Sequence, residues 1–139
     1  MGQRRESREM ALQVLFQQEF APDIQIEDAL NLFRSSFDAT EDVWNYSTMI
    51  LRGVAQHKID IDEVIQGASS HWSLKRMALT DLNIMRIATF ELLYAENPPP
   101  PLAVIDEAIE ISKKYGTTDS ASFTNGILDQ IRKTKLNQK

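Results

Sequence analysis

The stretch from about Thr80 to Glu96 constrains the fold more than any other part of the chain. Leu82, Ile84, Met85, Ile87, Ala88, Phe90, Leu92 and Leu93 put apolar side chains on several sides of a helix. A helix that is apolar nearly all round belongs at the centre of a bundle, covered by other helices. Four prolines, Pro98 to Pro101, stop it. They set a stiff extended link of roughly 3 Å per residue.

The rest of the sequence supplies the covering helices. A first helix runs from around Glu6 or Ser7 to about Phe20, with Leu12, Leu15 and Phe16 on one face and Phe20 at its edge. That is the i, i+3, i+4 spacing of a buried stripe. Ala21-Pro22-Asp23 ends it, because proline disfavours helix in the residue before it. A second helix spans roughly Glu27 to Phe37 and buries Leu30, Phe33 and Phe37. A third runs from about Glu41 to His57 behind a Thr40 N-cap, with Trp44, Ser47, Leu51, Val54 and Ala55 inward. A fourth starts near Asp60 and carries Ile61, Val64, Ile65 and Ala68. Residues 69–73 form a polar connector in which Trp72 is expected to anchor the chain to the core.

Beyond the prolines, a sixth helix covers Leu102 to Tyr115, with Gly116 just past its end and Lys113 and Lys114 at the negative end of its dipole. The last begins near Thr118 or Asp119 and buries Ile127, Leu128 and Ile131. No apolar runs flank an Asn-Gly or Asp-Gly pair, so hairpins are not indicated. The fold class is all-α, about seven helices packed as two small helical bundles, in one domain over residues 1–139.

Chemistry-bearing motifs are scarce. The chain has no cysteine, which excludes a disulfide framework and a Cys-based zinc site. G-x-S-x-G, G-x-G-x-x-G, P-loop and H-E-x-x-H patterns are missing, and His57 and His71 sit on different elements. Asp60, Asp62 and Glu63 lack the glycine and closing Glu of a calcium loop, and read as first-turn acids stabilised by the helix dipole. The sequence therefore points to a protein that is not an enzyme, with no catalytic residue, metal or cofactor. It shows no signal-peptide core and no run of the ~20 apolar residues that cross a bilayer. A cytoplasmic protein with no membrane partner is expected.

Charge placement favours binding. The net charge is −5, with +2 in residues 1–8 and +4 in residues 132–139, which leaves −11 between them. Basic ends on an acidic body either guide a polyanion to one place or merely keep the termini soluble. If the first helix reaches back to Arg4, then Arg4, Arg8 and Arg5 fall at about 0°, 40° and 100°, one arc, with Glu6 outside it. Clustered guanidinium groups fork onto phosphates and stack on bases. At the start of the last helix, Phe123 lies at the edge of the buried stripe with Asp119 and Gly126 on its outward side. It is either a peripheral core residue or an aromatic that stacks a base beside a helix N-terminus.

Four ordered blocks carry a family resemblance. They are Arg4–Phe16; Trp72–Met77 with Asp81, Ile84, Arg86 and Glu91-Leu92-Leu93; Val104–Ile111 with Lys113, Tyr115 and Gly116; and Phe123–Asp129. Over nearly its whole length the chain resembles the NusB family of transcription antitermination and rRNA-processing factors. The resemblance implies a NusB-like fold and a non-enzymatic role. It implies binding to boxA-like single-stranded RNA of rRNA leader transcripts together with the ribosomal protein NusE, in a complex that lets RNA polymerase pass terminators. It also implies RNA-site roles for Arg4, Arg5, Arg8, Phe16, Asp119 and Phe123, and a partner-interface role for Asp81. Family members include dimers and monomers, so a homodimer stays open. Glu6 interrupts an arginine run that is denser in some relatives, and Asp106 stands where many carry Asn. A protein-only helical adaptor without sequence-specific RNA binding is the alternative. The same domain resembles the N-terminal module of some rRNA cytosine methyltransferases, whose catalytic domain this chain is too short to include.

Overall fold

The computed structural model describes residues 2–136, and these form helices joined by short connections. Helix α1 spans Gly2–Glu19, α2 Ile26–Ser36, α3 Glu41–Ala68, α4 Leu79–Leu93, α5 Pro101–Tyr115 and α6 Ser120–Ile131. A 3₁₀ turn at Leu74–Arg76 precedes α4, and a π-helical turn at Arg132–Leu136 follows α6.

Helix α4 is the centre, as its composition requires. Every residue from Asp81 to Leu92 is buried, and α4 packs against α1, α3, α5 and α6. Helices α1, α2 and α3 form one bundle, and α5 and α6 join α4 in the other. The proline run separates α4 from α5 within the second bundle rather than marking the boundary between the two, with Pro101 in the first turn of α5, where its missing N–H costs nothing.

Helix α1 begins at Gly2, earlier than Glu6 or Ser7, because the Ser7 hydroxyl bonds the Gln3 and Val43 carbonyls (both 2.9 Å) and seats the first turn on α3. The expected third and fourth helices are one element, α3. It is kinked at His57 (φ −107°, ψ 17°), whose ring stacks on Tyr94 with centroids 4.3 Å apart. Counting its two arms separately gives the seven helices read from the sequence. The Thr40 hydroxyl caps it by accepting from the Val43 amide at 3.3 Å. Ala55, expected inward, faces out, and Ile50 takes a fully buried place instead.

The connector after α3 differs most from expectation. Trp72 is 43% exposed and does not anchor it. Side-chain bonds to the backbone do that work. The Gln66 amide donates to the Trp72 carbonyl (3.1 Å) and accepts from the Leu74 amide (3.1 Å), the Ser69 hydroxyl bonds the Ile65 carbonyl (2.8 Å), and Met77 is the buried residue.

Gly116 is extended (φ −97°, ψ −166°) rather than left-handed. It is glycine because a Cβ would lie 2.3 Å from Ser120 Oγ and 2.8 Å from the Ser112 carbonyl oxygen, so it lets α5 and α6 close on each other.

Candidate nucleic-acid interface

The first two turns of α1 lie against α3, α4 and α5, and the three arginines there meet different fates. Arg4 is exposed and lays its guanidinium over the Tyr46 ring, 3.8 Å from the centroid. Arg5 forks onto Glu107 through Nε (2.9 Å) and Nη2 (2.8 Å). Arg8 turns inward. Its side chain is 6% exposed and forks onto Glu91, itself 1% exposed, at 2.7 and 2.9 Å.

The shared arc of 4, 5 and 8 is therefore not a shared outward face. Arg8 is part of the core, which corrects its expected place on the surface. The reason is Glu91. A fully buried carboxylate in the last turn of the central helix needs a cation to be buried with it. That acid among the apolar residues of the central helix was the available signal.

Electrostatics tighten this network. The Tyr46 hydroxyl also donates to Glu91. Burial and then that bond push the Tyr46 phenol up to about 12, so it remains a donor at neutral pH. Burial is the largest single influence on Arg8 and lowers its pKa, but the Glu91 hydrogen bonds together with the charges of Glu91, Tyr46 and Glu107 outweigh it and raise the pKa. The hydrogen bonds from Arg5 hold the Glu107 carboxyl below the ordinary carboxylate range, against burial, which raises it. Glu9 accepts from Lys114 (2.9 Å) and the Tyr115 hydroxyl (2.7 Å), so this end of the molecule is mixed in charge rather than strongly basic.

Phe16 lies further along α1, half-buried, in a groove of about 350 Å³ lined also by Gln13, Phe33, Phe37, Thr80 and Tyr115. Beside Thr80, in the first turn of α4, Asp81 is 8% exposed. Its Oδ1 is buried with no hydrogen-bond partner among the described residues. The structure thus groups Phe16 with the start of α4.

At the start of α6, Phe123 is half-buried against the core and meets Trp72 edge-on, with ring centroids 6.4 Å apart at 69°. Arg76 lies over the other ring of the pair, 5.2 Å from the Trp72 centroid. Asp119 is exposed and its side chain accepts nothing from the helix it precedes. Phe123 and Asp119 share no hydrogen bond, ion pair or ring contact with Arg4, Arg5 or Arg8 among the described residues. The candidate residues therefore fall into three groups, with no such direct contact between the arginines and the start of α6 among the described residues. Sequence reasoning missed Tyr46, Glu91 and Glu107 as the partners of the arginines, and Arg76 as the neighbour of Trp72.

In the basic C-terminal segment, Arg132 and Lys133 both engage Asp129, at 2.8 and 3.1 Å. Lys139 lies outside the described residues. No group of three or more His, Asp or Glu side chains is placed to hold a metal ion, and no helix is long and apolar enough to cross a membrane, among the described residues.

The profile of the NusB family matches residues 5–133. The chain belongs to the NusB family. A relative named transcription antitermination protein NusB, from Bdellovibrio bacteriovorus, is 50% identical over 130 residues, covering 94% of this chain and 95% of that protein. The NusB structure from T. maritima superposes with a TM-score of 0.84 at 36% identity, covering 94% of this chain and 91% of that one. A chain from a complex of the antitermination factors NusB and NusE with double-stranded RNA shares the fold at 23% identity, with a TM-score of 0.80 and coverage of 96% and 98%. The all-helical NusB fold read from the sequence is the one observed.

Proposed function

We propose that this chain is a transcription antitermination factor. In this reading it binds boxA-type RNA of rRNA leader transcripts together with the ribosomal protein NusE and helps RNA polymerase read through terminators. The observation that carries it is half-identity, over nearly the full length of both chains, to a protein named for that activity. The NusB–NusE–RNA complex, similar in fold, supports the same pairing of partners. The described chain acts as one RNA-binding helical domain, in the cytoplasm and without catalysis.

Within that function, Arg4 and Arg5 contact phosphate, and Arg8 holds the helix that presents them. Phe123 supplies an aromatic face and Asp119 an acceptor for base amino groups. Phe16 belongs to the RNA site, and Asp81 faces the protein partner. Support for the Asp81 assignment comes from its place in the first turn of α4, next to Thr80, which lines the groove at Phe16. Because Arg5 is already engaged by Glu107, RNA affinity without the partner is weak and rises through linked binding when the partner adds positive charge.

Fluorescence anisotropy of a labelled boxA-like single strand against a scrambled one, with and without NusE across a salt series, tests the reading. The expected result is a boxA preference that strengthens with NusE, with Arg4→Ala reducing the salt slope by about 0.7, the share of one single-strand phosphate contact. Equal or absent binding to both strands, with NusE still bound, would leave the protein-only adaptor.

A further inference from the structure

The eight arginines of the chain divide in a telling way. Arg5, Arg8, Arg34, Arg52, Arg86 and Arg132 each have a carboxylate within hydrogen-bonding distance. Among the described residues only Arg4 and Arg76 have none, and both instead lie over an aromatic ring, Tyr46 and Trp72 respectively. A guanidinium stacked on a ring and left without a counter-charge keeps its donors for a ligand. Arg76 is the equivalent of Arg4 at the other candidate place.

We propose that Trp72 and Arg76, on the connector before α4, form with Phe123 a platform on which an unpaired RNA base stacks, its phosphate held by Arg76. This rests on the RNA-binding reading above and extends it to two residues that reading does not use.

Three observations converge on it. First, the Trp72 indole is surplus to the fold. Its carbonyl is held by Gln66 while the residue stays 43% exposed, which leaves apolar ring surface for a planar partner beside Arg76. Second, the edge-on contact with Phe123 fixes the orientation of that face before any ligand arrives, which lowers the entropic cost of stacking. Third, the local charge is positive on an acidic chain. Residues 64–80 contain no Asp or Glu, and Lys75 and Arg76 have no carboxylate within 4 Å among the described residues. An aromatic face beside uncompensated positive charge fits a base and its phosphate, and sequence-tolerant stacking of this kind is how single strands are held. Asp119, one helical turn before Phe123, adds an exposed acceptor for an exocyclic amino group.

The test uses the full chain and a boxA-like single-stranded RNA, followed by anisotropy of a labelled strand and by intrinsic tryptophan emission with an unlabelled one. The second tryptophan, Trp44, is buried, so quenching by RNA reports on Trp72. The expected results are quenching of the wild-type emission and about tenfold weaker binding for Trp72→Ala and for Arg76→Gln. Trp72→Phe should keep most of the affinity, and Arg76→Gln should lower the salt slope by about 0.7. Urea midpoints should be unchanged, and Arg76→Gln and Trp72→Phe keep the test open should Trp72→Ala unfold. Wild-type affinity and salt slope in Trp72→Ala and Arg76→Gln, with Arg4→Ala still weakened, would overturn the platform and leave the RNA reading intact. Failure of the wild type to bind RNA would overturn both. Retained RNA affinity with lost NusE affinity in Trp72→Ala would make this face a protein contact and overturn the proposal.

Discussion

Arg4 and Arg8 are one helical turn apart on α1 and chemically alike, yet their substitutions should read out in different experiments. Arg8 is buried with Glu91, which also accepts from Tyr46. Arg8→Ala strands that carboxylate in the core, and removing one partner of a buried pair costs about 3–5 kcal/mol. Against a total stability of about 5–15 kcal/mol, the urea midpoint should fall steeply. Arg4→Ala should leave the midpoint within error, since Arg4 is exposed and its contact with Tyr46 is worth about 0.5–1 kcal/mol at most. A fall in RNA affinity for Arg8→Ala then reports unfolding rather than a lost contact. Such a distinction could not be drawn along α1 alone, because the residue that pulls Arg8 inward lies on α4.

At the scale of elements, the crossing of α3 and α4 is set by one small residue. A Cβ on Gly53 would sit 2.0 Å from the Phe90 ring, so the two helices approach as closely as they do only with glycine there. Gly53→Ala should destabilise by about 1–3 kcal/mol, the cost of overpacking, while displacing Phe90 from its rotamer. Gly67, on the same helix, has open space around its would-be Cβ. There alanine should stabilise by up to about 1 kcal/mol through helix propensity. Parallel thermal melts of the two variants check both signs. The helices themselves were legible because apolar period, caps and prolines are local signals. The join of the third and fourth helices was not, since the kink at His57 carries no proline or glycine and is packed against Tyr94, the residue that follows α4. Nor was the exposure of Trp72, because the bonds that replace it come from Gln66 and Ser69.

Over the whole molecule, the candidate residues form three stations rather than one cluster. They are the arginines of α1, the groove at Phe16 and Asp81, and the α6 start with Trp72; Tyr115 lines that groove and also bonds Glu9 on α1. Asp81 is where the partner arrangement is most open to test. Its Oδ1 has no donor among the described residues, so Asp81→Ala removes an unsatisfied acceptor and should not lower the melting temperature. The same change should weaken NusE binding about tenfold, as loss of a charge-assisted bond would. Titration calorimetry beside a thermal melt separates the two effects. Loss of stability with unchanged NusE affinity would return Asp81 to a purely structural role at the start of α4.

The sequence by itself determined most of the helices, the central place of α4, its end before the proline run and the family. Each follows from residues close together in the chain or from the order of whole blocks. Tertiary structure alone decided which charges remain available. Glu91 and Glu107 engage Arg8 and Arg5 across more than 80 residues of chain, while Arg4 and Arg76 are left on aromatic rings without a carboxylate among the described residues. Periodicity says which side of a helix faces inward. It does not say what waits there, and for a charged side chain that partner decides between core and surface.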